Sequence, residues 1–462
     1  MKNKQTIEDI KALLQSESKY ISYGDTVHYL EDPTIFTNCE GSFMYDYKDT
    51  PYLDLQMWYS AVNLGYKNPA INNAVIDQMN TLPQVASQYL HTTKIELAEL
   101  LAKDIEEKFG QRGRIHFNVG GSQSVEDSLK IVRKHQGGKT LMFAFEGGYH
   151  GRTLGASSIT SSYRYRRPYG HFSDRAQFIP FPYCFRCPYQ KKKEDCGLYC
   201  LKQFERLFET EYYSVWDSKA NEAEYAAFYV ELIQGTGGYV IPPKGYFEGL
   251  QKILKERNIL LVDDEIQMGF YRTGKLWAAE HFNIKPDVMV FGKALTNGLS
   301  PLAAIWAKEE MINPTVFPPG STHSTFASNP LGTRAGLATM QEFNKKDYNT
   351  IITEKGKYFL QGLQNLQKQF KIIGDVDGLG LALRLEVCKE DGFTPGKAKM
   401  DQIANEAMKG DLKVNNKNYG LILDIGGYYK NAITFAPSLE ISYQEIDLAM
   451  ELLGQVFHRC TQ

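Results

Sequence analysis

Asp264 and Lys293 are the two residues of the chain whose types and placement suit joint chemistry. Two apolar runs, Ile259 to Val262 and Val288 to Phe291, read as buried strands of a parallel sheet. The first run leads into Asp264 and the second into Lys293. Between them, Thr273 to Phe282 is long enough for a crossover helix, so the unit reads β-α-β. Open α/β sheets place ligand sites at the carboxyl ends of their strands. An acid and an amine therefore emerge on one sheet edge, about one crossover apart.

That pairing fits pyridoxal phosphate. The cofactor needs a lysine to hold it as a Schiff base, and an acid partner to keep its pyridine nitrogen protonated. Two ordinary charged strand ends would read the same way, and the rest of the chain decides between the readings. Phe117-Asn118-Val119-Gly120-Gly121-Ser122 follows a short strand and opens a helix. Glycines allow an anion close to the backbone, and a helix N-terminus offers free N–H groups. In outline this is a phosphate cup, although a glycine turn capped by serine is also a common structural event. The loop Glu146 to Thr153 follows the strand ending at Phe145. Its Tyr149 can stack on a planar ring and its Arg152 can grip a carboxylate with two prongs. A plain glycine-rich loop with a solvated arginine is the alternative.

The elements that must position these residues alternate. Strands are expected at Arg114 to Asn118, Thr140 to Phe145 and Ala226 to Glu231, with helices at Ser124 to His135 and Gly245 to Glu256. Such alternation means an α/β fold, a mostly parallel sheet flanked by helices. Near the N-terminus, residues 6–17 read as a helix and 33–55 as an antiparallel meander. Helices follow from Asn68-Pro69 to about Met79 and from Lys94 to Lys108. After Pro330 come helices at Leu331 to Phe343 and Tyr348 to Phe370. Strands at Gly380 to Val387 and Ile433 to Ala436 and a last helix, Tyr443 to Phe457, complete a smaller α+β lobe. Gly378-Leu379-Gly380 reads as a turn. The expected division is 1–58 and 331–462 as a small domain formed by both termini, and 59–330 as the large domain.

With 462 residues the chain exceeds one simple core. A net charge of −2 leaves no basic excess for nucleic acid or an anionic membrane. No apolar run is long enough for a membrane span. The start, MKNKQTIEDIKALLQSE, reads as an amphipathic helix with acids rather than a signal peptide, which makes cytoplasmic the expected location. Seven cysteines, an odd and small number, argue against a disulfide framework.

The runs YSAVNLG, GGYHGRT, VELIQGTGG, LLVDDEIQMGFYRTGK, DVMVFGKAL and STFASNPL, in that order, resemble the class III aminotransferases. These are pyridoxal-phosphate enzymes of fold type I that include ornithine and 4-aminobutyrate aminotransferases. The resemblance spans about Asp49 to Ile446. It implies a homodimer with shared active sites, moving an amino group from an amine or ω-amino acid to a keto acid by a ping-pong cycle through pyridoxamine phosphate. Lys293 would be the Schiff-base lysine and proton carrier, and Asp264 the partner of the pyridinium nitrogen. Gln267 would contact the ring 3-oxygen. Ile266 and Tyr149 would cover opposite ring faces, while Gly121 and Ser122 cup the phosphate. Thr325 would reach the phosphate of the neighbouring subunit. Tyr59 and Arg152 would bind the substrate's far carboxylate.

The chain departs from the family where a glutamate and an arginine usually form a substrate switch. Those positions read Thr236 and Thr434. Losing both together is physically consistent, since either charge alone would sit unpaired. It points away from 2-oxoglutarate and toward pyruvate, another keto acid or a bulkier apolar substrate. Cys184, Cys187, Cys196 and Cys200, in a segment about 183–200, have spacings that zinc or an iron–sulfur cluster could use; reduced thiols or a disulfide in a surface insertion are the more ordinary reading. Two rival functions keep the fold. A racemase or epimerase would need a further base on the opposite ring face, and a catalytically silent binding protein would not need the intact Lys293 and Asp264. A nicotinamide dehydrogenase is disfavoured because no dinucleotide fingerprint is present.

Overall fold

The computed structural model describes residues 7–22, 24, 33–170, 172 and 176–461. Its centre is a seven-stranded sheet. The order across it is Gly113–Asn118, Ala303–Lys308, Val288–Phe291, Leu260–Asp264, Tyr225–Val230, Leu141–Phe145 and Gln177–Ile179. Only Ala303–Lys308 runs against its neighbours. Strands in the middle are buried at every residue, as their unbroken apolar runs require. Successive side chains leave on opposite faces. Leu261, Phe228 and Met289 pack in a core with Leu250 and Leu254 of the helix Tyr246–Glu256. Val262, Tyr229 and Val290 pack in another with Val125, Ile131 and Val132 of the helix Gly121–His135. Helices therefore cover both faces.

Register fixes the site edge. Asp264 pairs with Val290, so the chain reaches Lys293 just past the sheet. Asp263 pairs with Val230, which puts Glu231 beside Asp264 at the same edge. Phe145 ends its strand on that edge too, next to Tyr225–Val230, and the loop carrying Tyr149 and His150 follows.

The expected crossover helix from Thr273 to Phe282 is a correction: only a single 3₁₀ turn forms, Ala278–His281. Phe270, Tyr271 and Gly274 are all left-handed, with φ of 57°, 65° and 93°, and Trp277 is extended. Burying Phe270 and Trp277 against Phe291 takes precedence over helix continuity.

The N-terminal meander is present as Phe36–Glu40, Phe43–Asp46 and Pro51–Asp54. It continues in parallel into Lys417–Ile422 and then Leu412–Val414, so both ends of the chain share one sheet. A second sheet runs Ile373–Leu379, Ala382–Val387, Ala432–Phe435 and Asp424–Gly426. Strand structure extends to Leu379, so the reversal is narrower than the expected Gly378-Leu379-Gly380 turn, with Gly380 at φ 58°. The helix Lys397–Met408 was not expected from the sequence. The N-terminal helix spans Ile7–Tyr20; residue 6 of the expected helix lies outside the described residues. Among the described residues no helix is long and apolar enough to cross a membrane.

Candidate active site

Four strand ends and one helix start converge on the sheet edge. Asp264 is buried, and its Oδ2 lies 2.8 Å from Nδ1 of His150. The Ile266 N–H donates to Oδ1 at 3.2 Å. His150 is itself buried, and its Nε2 finds no partner among the described residues. Burial pushes the His150 imidazolium down, but its bond to Asp264 and the charges of Asp264 and Glu231 outweigh that and raise it.

Glu231 accepts the Tyr149 N–H at 2.8 Å and the Gly235 N–H at 2.9 Å. Burial is the main cause that pushes its carboxyl up, to about 7. Lys293 sits on a left-handed residue, φ 42°, directly after the strand Val288–Phe291. Burial lowers its ammonium, while Glu231, Asp264 and Asp424 oppose the shift. An amine held this way sheds its proton more readily than a surface lysine while feeling the charge of three carboxylates. Backbone strain of this kind concentrates at functional positions.

The helix Gly121–His135 begins at Gly120 without a side-chain cap, leaving its first N–H groups to face the site. A Cβ at Gly121 would lie 2.7 Å from Ile266 Cδ1, so the helix start and the residue after Asp264 touch. Ser122 Oγ accepts the Arg152 N–H at 3.3 Å. Arg152 lies over the Tyr165 ring at 4.4 Å and the Tyr149 ring at 5.7 Å, and donates to Tyr165 Oη at 3.1 Å. Gln267 is buried and donates to Tyr239 Oη at 2.8 Å.

Tyr59 stands on a turn in which Met57, Trp58, Tyr59 and Ser60 are all left-handed, φ 44° to 67°. Left-handed helix costs roughly 1–2 kcal/mol per residue for non-glycine types. The turn is held from several sides: Asp54 Oδ1 accepts the Gln56 and Met57 N–H groups, and buried Arg272 donates to Ser60 Oγ and Asn63 Oδ1. The two threonines of the altered switch both border Gly426. The Gly427 N–H donates to Thr236 O, and a Cβ on Gly426 would lie 3.3 Å from Thr236 O and 3.4 Å from Thr434 Cγ2.

Of the residues expected from the sequence, Asp264, Lys293, Gly121, Ser122, Ile266, Gln267, Tyr149 and Arg152 are thus linked at one edge. Thr325 is exposed, on the segment before the helix Pro330–Phe343. His150 and Glu231 were not singled out from the sequence. Glu231 carries the same signal as Asp264, an acid at the end of a buried strand. The four clustered cysteines are free thiols. Burial raises Cys184 and pushes Cys200 up to about 11. Among the described residues no three His, Cys, Asp or Glu side chains come together to hold a metal, so the zinc or iron–sulfur expectation gains no support.

The donor set suits pyridoxal phosphate: a strained lysine, a buried acid bonded to histidine, an uncapped helix start and a glycine whose Cβ would intrude. Comparison with known proteins agrees. The family described as "Aminotransferase class-III" matches residues 26–457. The chain is 30% identical to the acetylornithine aminotransferase of Caldanaerobacter subterraneus subsp. tengcongensis, over 96% of this chain and 98% of that one. It is 30% identical to the ornithine aminotransferase of Brevibacillus brevis, over 92% and 94%. It is also 31% identical to a leucine/methionine racemase of Thermococcus litoralis, over 91% and 90%. An (S)-enantioselective omega-transaminase from Thermomicrobium roseum shares the fold, with a TM-score of 0.86 over 99% of this chain and all of that one, at 23% identity. The chain belongs to the class III aminotransferase family and is an enzyme that transfers amino groups.

Proposed function

We propose that the chain is a pyridoxal-phosphate aminotransferase whose donor is an amine or ω-amino acid and whose acceptor is a keto acid lacking a second carboxylate. The carrying observation is the convergence of Lys293, Asp264, His150 and the Gly121–Ser122 helix start on one edge. When bound, the cofactor supplies an aldehyde for the amine and a ring that withdraws electrons from the carbon bearing it. Asp264, bonded to His150, would keep a proton on the ring nitrogen. Gly121 and Ser122 would hold the phosphate, Gln267 the ring oxygen, and Ile266 and Tyr149 the two ring faces. Lys293 Nζ would take the proton from the substrate's reacting carbon and deliver it to the carbon on the far side of the intervening nitrogen, a 1,3-shift. Its depressed basicity suits that exchange.

On the substrate side, Arg152 and Tyr59 bind a far carboxylate. Thr236 and Thr434 replace a charged pair, and Thr434 donates to the Asp424 carboxylate at 2.6 Å. A second carboxylate, as in 2-oxoglutarate, would face that anion with no guanidinium at Thr434 to receive it. Pyruvate and apolar keto acids avoid the conflict. The working unit is a homodimer, with Thr325 of each chain serving the other's phosphate, and its place is the cytoplasm. The large domain is 59–330 and the small one 1–58 with 331–462.

The test is a half-reaction screen. Single amines are mixed with the holoenzyme, loss of the cofactor's absorbance is followed, and keto acids are then scored for its return. Reaction with amines, with pyruvate-type acids outperforming 2-oxoglutarate, supports the proposal. If 2-oxoglutarate is much the best acceptor, the substrate reading fails. The racemase relatives give a second reading: an amino acid inverted with no keto acid consumed would replace transamination as the main activity.

A further inference from the structure

Asp424 is an acid that the proposed reaction does not use. It begins the short strand Asp424–Gly426, next to Ala432–Phe435 and in register with Thr434. Thr434 Oγ1 donates to its Oδ2 at 2.6 Å, and the Gln56 amide donates to Oδ1 at 3.4 Å. Gln56 opens the strained turn that carries Tyr59, and the same short strand meets Thr236 at Gly426. Asp424 and Lys293 lie close enough for each to feel the other's charge. The carboxylate is therefore bonded to Thr434 and to the residue that opens the Tyr59 turn, on the strand that meets Thr236, which puts it on the substrate side of Lys293.

Its charge balance is incomplete. Both bonded neighbours are neutral, and among the described residues no cationic side chain pairs with it within the ion-pair distance. Lys430, on the same loop, feels its charge, but burial lowers that ammonium and Arg164 and Arg152 lower it further. Burial raises the Asp424 carboxyl, with Thr434, Gln56, Lys430 and Lys293 only partly offsetting this. A carboxylate in such a setting gains most from an incoming cation.

We propose that Asp424 is a specificity-determining residue that receives the ammonium at one end of a diamine donor while the other end, as the free amine, is presented at Lys293. The inference rests on the aminotransferase reading of the Lys293 site and adds the donor class to it. Thr434 is then a positioning residue: its hydroxyl fixes the carboxylate, which a charged arginine at that position would neutralise. At Asp424 the site prefers a chain ending in a second amine to one ending in a methyl group, while a far carboxylate is left to Arg152 and Tyr59.

The experiment uses the holoenzyme without acceptor. The rate of cofactor absorbance loss is measured for α,ω-diaminoalkanes of increasing length, and for 1-aminoalkanes and ω-amino acids of matching length. Wild type and Asp424→Asn are compared. A hydrogen bond between charged groups sets the scale, so the best diamine should outrun its matching monoamine by about 10- to 100-fold in wild type. That ratio should collapse toward one in Asp424→Asn. A diamine with both nitrogens dimethylated cannot be transferred and gives a binding readout by calorimetry. It should bind wild type about 10- to 100-fold more tightly than the variant. Equal rates for diamine and monoamine in wild type overturn the inference and leave the aminotransferase reading standing. So does a diamine preference that survives in Asp424→Asn. Absence of reaction with every amine overturns both.

Discussion

Replacing His150 with phenylalanine should loosen the cofactor site from behind. The somewhat larger phenyl ring keeps the site filled, but the 2.8 Å bond to Asp264 Oδ2 is lost. Asp264 would then keep only the Ile266 N–H, at 3.2 Å, while remaining buried. A hydrogen bond to a charged group is worth about 1.5–3 kcal/mol, or roughly 10- to 150-fold in an equilibrium constant. His150→Phe should therefore weaken pyridoxal phosphate by about that factor, measured by titrating apoprotein with the cofactor and following its absorbance. The sign of the pH dependence follows from the shift. The folded His150 is raised above its ordinary value of about 6.5, so its contribution is complete below that value and lost as pH rises through the raised one. The thermal-stability advantage of wild type over His150→Phe should be larger near pH 6 than near pH 9. A variant that binds cofactor within about twofold of wild type, with a pH-independent stability difference, would refute the reasoning.

Arg152→Lys should not be conservative, because a stacked, forked guanidinium between Tyr149 and Tyr165 is replaced by a point charge. Steady-state kcat/KM for ω-amino acids should fall about 10- to 100-fold, with a much smaller change for amines without a carboxylate. Glu231→Gln should flatten the pH dependence of stability. The raised carboxyl contributes fully below its unfolded value, about 4.3, and loses that contribution as pH rises through about 7. Thermal melts of wild type and variant across that window check the sign; parallel curves would show Glu231 to be uninvolved. In the same variant two backbone N–H groups, of Tyr149 and Gly235, would have to share one amide oxygen, and cofactor loading should drop.

The large sheet was legible because its strands are unbroken apolar runs such as Val288–Phe291, and a buried parallel strand has little other way to look. Asp264 and Lys293 were legible as the polar residues that follow such runs. The missing crossover helix shows where pattern fails. Thr273 to Phe282 has the length for a helix, but tertiary burial of Trp277 and a left-handed Gly274 override propensity. The strand Lys417–Ile422 was missed because it is polar at its start and gains its place by pairing with Pro51–Asp54, far away in the chain. Site residues followed the same division. Gly121, Ser122, Tyr149 and Arg152 could be proposed because they lie in contiguous motifs, and they stand near one another in the fold. The function of Asp424 depends on Gln56 and Thr434 being brought to it, which no local window of sequence contains.

The central claim is that Lys293 is the residue that holds the cofactor. Borohydride reduction of the holoenzyme followed by peptide mass mapping tests it directly. A single stable cofactor adduct is expected on the peptide carrying Lys293, and none on any peptide from Lys293→Ala. An adduct on a different lysine, or an undiminished adduct in Lys293→Ala, would contradict it.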